Sequence, residues 1–590
     1  MIRRFLTIFS IIMLFVSGYS TAQRKEYKSW NPAKDTLNVI QGRSWESGFK
    51  SGYDRLPAAA EKNVRKAVWG LSENSSGLYM QFRTNAEEIV VKFKVTGGMA
   101  MPHMPATGVS GVDLYSKNID GKWLWCAGRY SFGDTVSYRF VNLAGKDQHV
   151  DDREYRLYLP LYNTVKWMEI SVPKEAKFKP LPVRKEKPIV VYGTSIAQGA
   201  CASRPGMAWT SILGRKLDRS MVNLGFSGNG KLEPEVLDFV TQIDAKLFVL
   251  DCLPNLTGGI GDAMLNQKIV DAVRQIQKKR PGTPILMVEH DGYTDGEMQP
   301  LRKKDYEAVN RVLKSAIDSL IKSGVKGLYL LSKEEIGHDI ESMVDGTHPN
   351  DLGMMRYAEA YEKKIKSIFN EPQGTVSTMI PVTQRRDASS YDWETRHQEV
   401  LDYGKANQPE LVLVGNSILH YWGGEPASSR AKGKDAWTKY FAEGKAMNMG
   451  FGWDRIENVL WRIYHGELDE ISPKKIILMI GTNNLDYNTD EEIVQGLKFL
   501  LDVIKVRKPA ADVILMGILP RRKMEQRIAG LNKKIAAIAI GKRLKYADAG
   551  KLFLKPAKEI DESLFSDGLH PNAVGYEKLG NFINQQIKKY

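Results

Sequence analysis

Two apolar runs in this chain end in the same way. Residues 189–192 lead into Gly193-Thr194-Ser195, and residues 411–414 lead into Gly415-Asn416-Ser417. A short run of this kind, stopped by glycine and a polar residue, suits a central strand of a parallel sheet, buried on both faces. A serine just past it sits where open α/β sheets place their ligands, at the carboxyl ends of the strands. Much later each serine is followed by an Asp-x-x-His: Asp345 with His348, and Asp567 with His570. Serine and histidine are 153 positions apart in both cases. One design is therefore present twice, as a tandem repeat at domain scale.

The surrounding sequence keeps an α/β rhythm. In the first unit residues 189–192, 222–226, 247–250, 285–289 and 328–331 read as strands, with helical stretches such as 306–322 between them. In the second unit residues 411–414, 446–449, 476–480, 513–516 and 544–547 read the same way, after a helix at 391–404. Such alternation implies a parallel sheet with helices on both faces. Asn350 and Asn572, each next to the proline that follows the histidine, are placed to cap a closing helix.

At 590 residues the chain exceeds what one core can hold. Residues 23–180 carry short, partly alternating strands split by Gly, Asn and Asp, the pattern of an antiparallel sandwich. Its aromatics are either core or a sugar-binding platform. A Lys/Pro-rich connector at 174–187 and a polar one at 371–390 mark the boundaries. The expected domains are a β-sandwich (23–180), a first α/β domain (181–370) and a second (391–590).

Residues 1–22 read as an export signal: Arg3 and Arg4, an apolar stretch at 5–16, then Ser20-Thr21-Ala22 as a cleavage site. No other stretch is long and apolar enough to span a bilayer. The expectation is an exported protein, periplasmic or secreted, without stable membrane insertion. The formal charge of +15 is spread along the chain rather than gathered in blocks. It reads as a basic surface with a general pull on anionic substrates, and no nucleic-acid motif accompanies it. Cys126, Cys201 and Cys252 fit no zinc site. Export would permit a Cys201–Cys252 disulfide; two buried free thiols are the alternative. Glu289-His290-Asp291 reads as a loop feature rather than a metal cluster, since neighbouring residues on a strand point to opposite faces.

Between Ser195 and His348 lie Gly225-Phe226-Ser227-Gly228 and Leu253-Pro254-Asn255. Between Ser417 and His570 lie Gly450-Phe451-Gly452-Trp453 and Gly481-Thr482-Asn483. Ester cleavage needs a hydroxyl made nucleophilic by a base within hydrogen-bond reach. Histidine can take and return that proton near neutral pH. An aspartate three residues earlier can fold back in one turn and fix the imidazole tautomer.

The order Gly-x-Ser, Gly, Asn, Asp-x-x-His resembles the SGNH (GDSL-type) hydrolases, esterases and lipases built on a flavodoxin-like sheet. Both α/β units match. The second is similar to the platelet-activating-factor acetylhydrolase-type branch, through Asn458-Val459-Leu460-Trp461-Arg462, Gly466-Glu467-Leu468 and Gly481-Thr482-Asn483-Asn484. Gly111-Val112-Asp113-Leu114-Tyr115 resembles the GxDLY signature of a β domain found ahead of such hydrolases. The whole layout is similar to the sialate O-acetylesterases of Bacteroidetes.

The resemblance implies two triads, Ser195–His348–Asp345 and Ser417–His570–Asp567, working without a cofactor. It implies oxyanion donors from each serine's own N–H, from the N–H of Gly228 and the Asn255 side chain, and from the N–H of Trp453 and the Asn483 side chain. Trp453 departs from the family's glycine. It narrows the approach to its serine, either stacking on a sugar ring or filling the wall. Thr194 and Asn416 replace the usual Asp, where no catalytic role is required. Arg204 and Arg455 lie near their serines in sequence and are candidates either for clamping a substrate carboxylate or for salt bridges.

The functional expectation is an exported carbohydrate O-acetylesterase with two serine sites, acting on sialic acids or on other acetylated glycans. A lipid acyl hydrolase, and a glycan-binding protein with one inactive unit, are the alternatives.

Overall fold

The computed structural model describes residues 25–589; the export signal expected at residues 1–22 lies outside the described residues. The N-terminal region forms two antiparallel sheets. One runs in the order Tyr27–Trp30, Val165–Pro173, Glu88–Val95, Val136–Val141, Arg129–Ser131. The other runs Phe178–Pro180, Tyr79–Thr84, Arg153–Tyr158, Asp113–Lys117, Trp123–Cys126. Ile89, Val91 and Phe93 from the first sheet and Met80, Phe82 and Leu157 from the second share one core. Alternation along the strands produces that core, because every second side chain points inward.

Each α/β unit is a five-stranded parallel sheet with the second strand on the outside of the first. The first is ordered Met221–Gly225, Ile189–Gly193, Leu247–Asp251, Ile285–Val288, Leu328–Leu331. The second is ordered Ala446–Gly450, Leu411–Gly415, Lys475–Met479, Asp512–Met516, Lys545–Ala547. The strand leading to each serine is buried along its whole length. Val190 and Tyr192 pack into the core on one face of their sheet, Ile189 and Val191 into that on the other. The chain order reverses beside these strands, which makes their carboxyl ends the crevice of each sheet.

Both connectors are docked rather than free. Phe178–Pro180 pairs with Tyr79–Thr84, and Arg184 donates to the Asp218 carbonyl at 3.0 Å. In the second, buried Glu371 accepts from Arg219 at 2.7 Å, and the Thr378 hydroxyl donates to the Glu492 carbonyl at 2.8 Å. The β domain touches both α/β domains: Lys117 pairs with Asp218 of the first at 3.0 Å, and Asp120 faces Arg455 of the second at 3.5 Å.

The Cys201–Cys252 bridge does not form; all three cysteines are free thiols. Cys252 belongs to the core on the Tyr192 face of the sheet, where its thiol donates to the Tyr192 carbonyl at 3.5 Å. Cys201 follows the serine turn among Ala197 and Ala202, which pack on the other face. Proximity in sequence to one site suggested the pair; Cys252 instead lies in the core beneath the sheet and Cys201 in the turn after the serine.

Candidate active sites

Each serine opens a single helical turn, Ser195–Gln198 and Ser417–His420. Thr194 caps the first through its hydroxyl and Asn416 the second through its amide oxygen, each accepting the N–H two residues on. The second strand of each sheet then packs its last residue against this turn. A Cβ on Gly225 would lie 2.3 Å from the Gln198 nitrogen, and one on Gly450 would lie 2.3 Å from the His420 nitrogen. Glycine is thus imposed by close backbone approach in both copies. A buried asparagine completes the joint. Asn223 donates to the Ala197 carbonyl at 2.6 Å and accepts from the Gly225 N–H at 2.9 Å. Asn448 donates to the Leu419 carbonyl at 2.7 Å and accepts from the Gly450 N–H at 2.8 Å.

The expected Ser, His and Asp converge in both units. Ser195 Oγ donates to His348 Nε2 at 2.9 Å, and His348 Nδ1 donates to Asp345 at 2.8 Å. Ser417 Oγ donates to His570 Nε2 at 2.8 Å, and His570 Nδ1 donates to Asp567 at 2.7 Å. The remaining oxygen of each aspartate accepts two backbone N–H groups, from Thr347 and His348 in one case and Leu569 and His570 in the other. Burial alone would raise both carboxyls, but these hydrogen bonds and the adjacent imidazole hold them below the usual range. His570 is held below its ordinary value by burial, opposed by Asp567, with Lys432 and Arg430 adding to the depression. A neutral imidazole facing a serine hydroxyl is the arrangement a general base requires.

The residues expected to bind the oxyanion lie on the loops that follow the second and third strands of each sheet. Gly228 has φ +67 with open space where a Cβ would be. In the orientation that satisfies its neighbours, the Asn255 amide oxygen accepts the N–H of Asn229 and Gly230 at 3.0 Å each, and its amide nitrogen is the donor left over. Asn483 donates to the Asp454 carbonyl at 2.9 Å, beside Trp453. Trp453 keeps the left-handed backbone of the glycine it replaces, with φ +63.

The two arginines are engaged elsewhere. Arg204 is bonded to Asp113 and to the Tyr115 hydroxyl, and stacks over Trp125 at 4.6 Å. Asp113 and Tyr115 belong to the Gly-Val-Asp-Leu-Tyr stretch, so that motif docks the β domain onto the first α/β domain. Arg455 faces Asp120 at 3.5 Å and lies 3.6 Å over Tyr487. Of the two roles expected for these arginines, both guanidiniums make the salt bridge, each to a carboxylate of the β domain.

Sequence reasoning missed the groups that hold the loops after the second strands. Gln198 Oε1 accepts the Ser227 N–H at 3.0 Å. His420 Nδ1 accepts the Gly452 N–H at 3.1 Å. Burial, then Arg396, Arg430 and Arg462, push His420 down to about 2, so it stays a neutral acceptor. Buried Arg55 donates to the Asn223 and Gly225 carbonyls at 3.0 and 2.8 Å; Arg396 does the same for Asn448 and Gly450 at 3.3 and 2.8 Å. The signal for Gln198 and His420 was their shared position three residues after the serine. Arg55 lies outside its α/β unit and left none. The Tyr162 hydroxyl, also from outside the unit, donates to the Ser195 carbonyl at 3.2 Å. Among the described residues no group of three or more His, Cys, Asp or Glu is placed to hold a metal ion, and no helix is long and apolar enough to cross a membrane.

The sequence pattern of the GDSL-like lipase/acylhydrolase family matches residues 186–366 and again 413–578. A pattern for the N-terminus of SGNH-hydrolase-type esterases matches residues 27–178. The solved structure of a chain described as a GDSL-like lipase from Bacteroides ovatus aligns with a TM-score of 0.54 and 33% identity, over 58% of this chain and 98% of that one. This chain belongs to the GDSL-type (SGNH) hydrolases. As an SGNH hydrolase it is also 29% identical over 189 residues to platelet-activating factor acetylhydrolase IB subunit alpha1 of Bos taurus, 31% of this chain and 77% of that protein. The alpha2 subunit of Homo sapiens is 29% identical over 200 residues, 33% of this chain and 83% of that protein. The SGNH units and the β domain ahead of them make the chain an esterase of the acylhydrolase type.

Proposed function

We propose that this SGNH hydrolase is an exported carbohydrate O-acetylesterase with two independent serine sites, acting on O-acetylated sugars and most readily on sialic acids. The observation that carries the reading is the repeated relay, in which serine, imidazole and carboxylate are linked by hydrogen bonds of 2.7–2.9 Å in each unit.

In each site the histidine takes the serine proton as Oγ attacks the acetyl carbonyl. The aspartate holds the tautomer and stabilises the imidazolium. The serine N–H, which heads a helical turn and has no acceptor within it, the loop N–H of Gly228 or Trp453, and the amide of Asn255 or Asn483 receive the oxyanion. Return of the proton releases the sugar alcohol. Water, activated by the same histidine, then frees acetate from the acyl-serine.

The acetyl preference is supported by the relatives whose name describes an acetylhydrolase. Export is supported by the signal-like residues 1–22. The sialate preference rests on the resemblance of the whole layout. A second reading, acetyl esters of lipid alcohols, is favoured by the same relatives' name.

The test compares p-nitrophenyl esters of increasing acyl length and O-acetyl-N-acetylneuraminic acid on the full chain, on Ser195→Ala, on Ser417→Ala and on the double variant. Acetate should be released from the sugar, and turnover should fall steeply beyond acetate. Preference for butyrate or longer esters rejects the acetylesterase reading.

A further inference from the structure

The second serine has a rim that the first lacks. Trp453 occupies the loop position of Gly228 and adopts the same left-handed backbone, φ +63 against +67. A bulky side chain is disfavoured there, and glycine is free of the penalty. Burial does not compensate, because Trp453 is 37% exposed. Its ring lies 5.3 Å from that of His149, tilted by 32°. His149 comes from the β domain, is exposed, and is itself left-handed at φ +65. Two residues from two domains thus bring two solvent-facing rings together on the loop that Gly452 ties to His420 of the Ser417 turn, and the tryptophan holds a backbone conformation that bulky side chains avoid. Docking of the domains does not explain the pair, since the Arg385–Asp152 bridge and the contact of Arg83 with Asp392 already join the β domain to this part of the chain. Backbone strain kept at the edge of a reactive site points to a role in that site.

We infer that Trp453 and His149 form a sugar-ring subsite for the alcohol half of the ester at the second serine, a platform on which a pyranose stacks while its acetyl group faces Ser417. This rests on the acetylesterase reading and adds the residues that would select the sugar. Apolar C–H faces of a pyranose suit an indole face, and the imidazole edge supplies a polar partner for ring hydroxyls. Two residues on from Trp453, Arg455 covers the half-exposed ring of Tyr487, extending the polar and aromatic character of the rim. At the first serine, Gly228 leaves the corresponding space open, and the β domain brings the ring of His103 to 6.0 Å from that of His348. The two sites therefore differ in the alcohol they hold and share the chemistry.

The test uses the full chain carrying Ser195→Ala, so that only the second site turns over. Trp453→Gly and His149→Gly each remove a ring and leave a residue suited to φ near +65. Two acetyl esters are compared: methyl 6-O-acetyl-α-D-glucopyranoside, which carries a ring, and ethyl acetate, which does not. The ratio of their kcat/KM values should fall at least fivefold in either variant, through KM for the sugar ester. The double variant should lose little more than either single one, because both rings serve one platform. A ratio that stays within twofold of the parent overturns the subsite, as does an equal loss on both esters, which would mean only a displaced oxyanion loop. A second measurement does not depend on turnover. Saturation-transfer NMR on Ser195→Ala/Ser417→Ala should show ring protons of the glucoside in contact with protein, and His149→Gly should remove that contact. Absence of acetate release from both esters by the parent counts against the acetylesterase reading alone, and the NMR result then decides the platform.

Discussion

Gln198 and His420 stand at the same place in the two SGNH units, three residues after the serine, and each accepts a loop N–H, from Ser227 at 3.0 Å and from Gly452 at 3.1 Å. The acceptor is an amide in one copy and an imidazole in the other. The geometry is shared, and the response to acid is not.

The first prediction follows from that difference. His420 is pushed down to about 2 in the folded chain, against an ordinary value of 6.5. The unfolded chain therefore binds a proton that the folded one refuses. The stability contribution is fully present above pH 6.5 and is lost as pH falls from there toward the folded value, at about 1.4 kcal/mol per pH unit. By pH 5 the loss is on the order of 2 kcal/mol. His420→Gln, which copies the first site, should remove this term. Denaturant titration of both proteins at pH 7.5 and pH 5 measures it. Equal acid destabilisation of wild type and variant would count against the assignment.

The second prediction concerns independence of the sites. Ser195→Ala and Ser417→Ala should each leave the share of turnover carried by the other serine. The double variant should drop by a factor on the order of 10⁴ or more. Initial-rate assays on a common acetyl ester decide this. Complete loss in one single variant would mean that only one site works.

Much of this was readable from the chain, because each serine, histidine and aspartate sits at a strand end or helix start whose local pattern is strong. The asparagines expected to bind the oxyanion, Asn255 and Asn483, follow the same logic, each just past a strand. What could not be read was the support. Arg55 reaches the Asn223 and Gly225 carbonyls from outside its unit, where Arg396 does the same work from the helix Trp393–Asn407 at the start of the second unit. Arg204 and Arg455 sit close to their serines in sequence, yet their partners Asp113 and Asp120 lie in the β domain. A pairing between domains leaves no period or spacing in the sequence to reveal it. The failed Cys201–Cys252 pairing has the same origin: sequence distance to a site does not say whether a thiol ends in the core, as Cys252 does, or in the turn after the serine, as Cys201 does.

The third prediction is a pH profile. His570 must be neutral to act as base, and burial with Lys432 and Arg430 disfavours its proton. The acid limb of kcat/KM at the second site, measured in Ser195→Ala, should therefore lie below the ordinary imidazole value of 6.5. Arg430→Gln removes one of the depressing charges and should move the limb upward. Asp567→Asn removes the group that opposes the depression, and should lower both the limb and the rate. A limb at or above 6.5 in the parent would contradict the electrostatics of this site.

The last prediction concerns what holds the loop of Trp453 in place. Arg462 is fully buried between Asp454 and Glu467, donating to Asp454 at 2.8 Å and bonded to Glu467. Trp393 and Gln384 also donate to Asp454, at 2.8 and 3.1 Å, and His397 pairs with Glu467 at 2.8 Å. Removing the cation leaves two carboxylates buried without their partner, a change that costs about 3–5 kcal/mol. Arg462→Ala should therefore destabilise the second SGNH unit selectively. Thermal inactivation followed separately in Ser195→Ala and Ser417→Ala backgrounds should show the Ser417 activity lost at lower temperature, while the Ser195 activity keeps its midpoint. A parallel fall of both activities would mean that the two units unfold as one body, and that the buried arginine supports the whole chain rather than its own site.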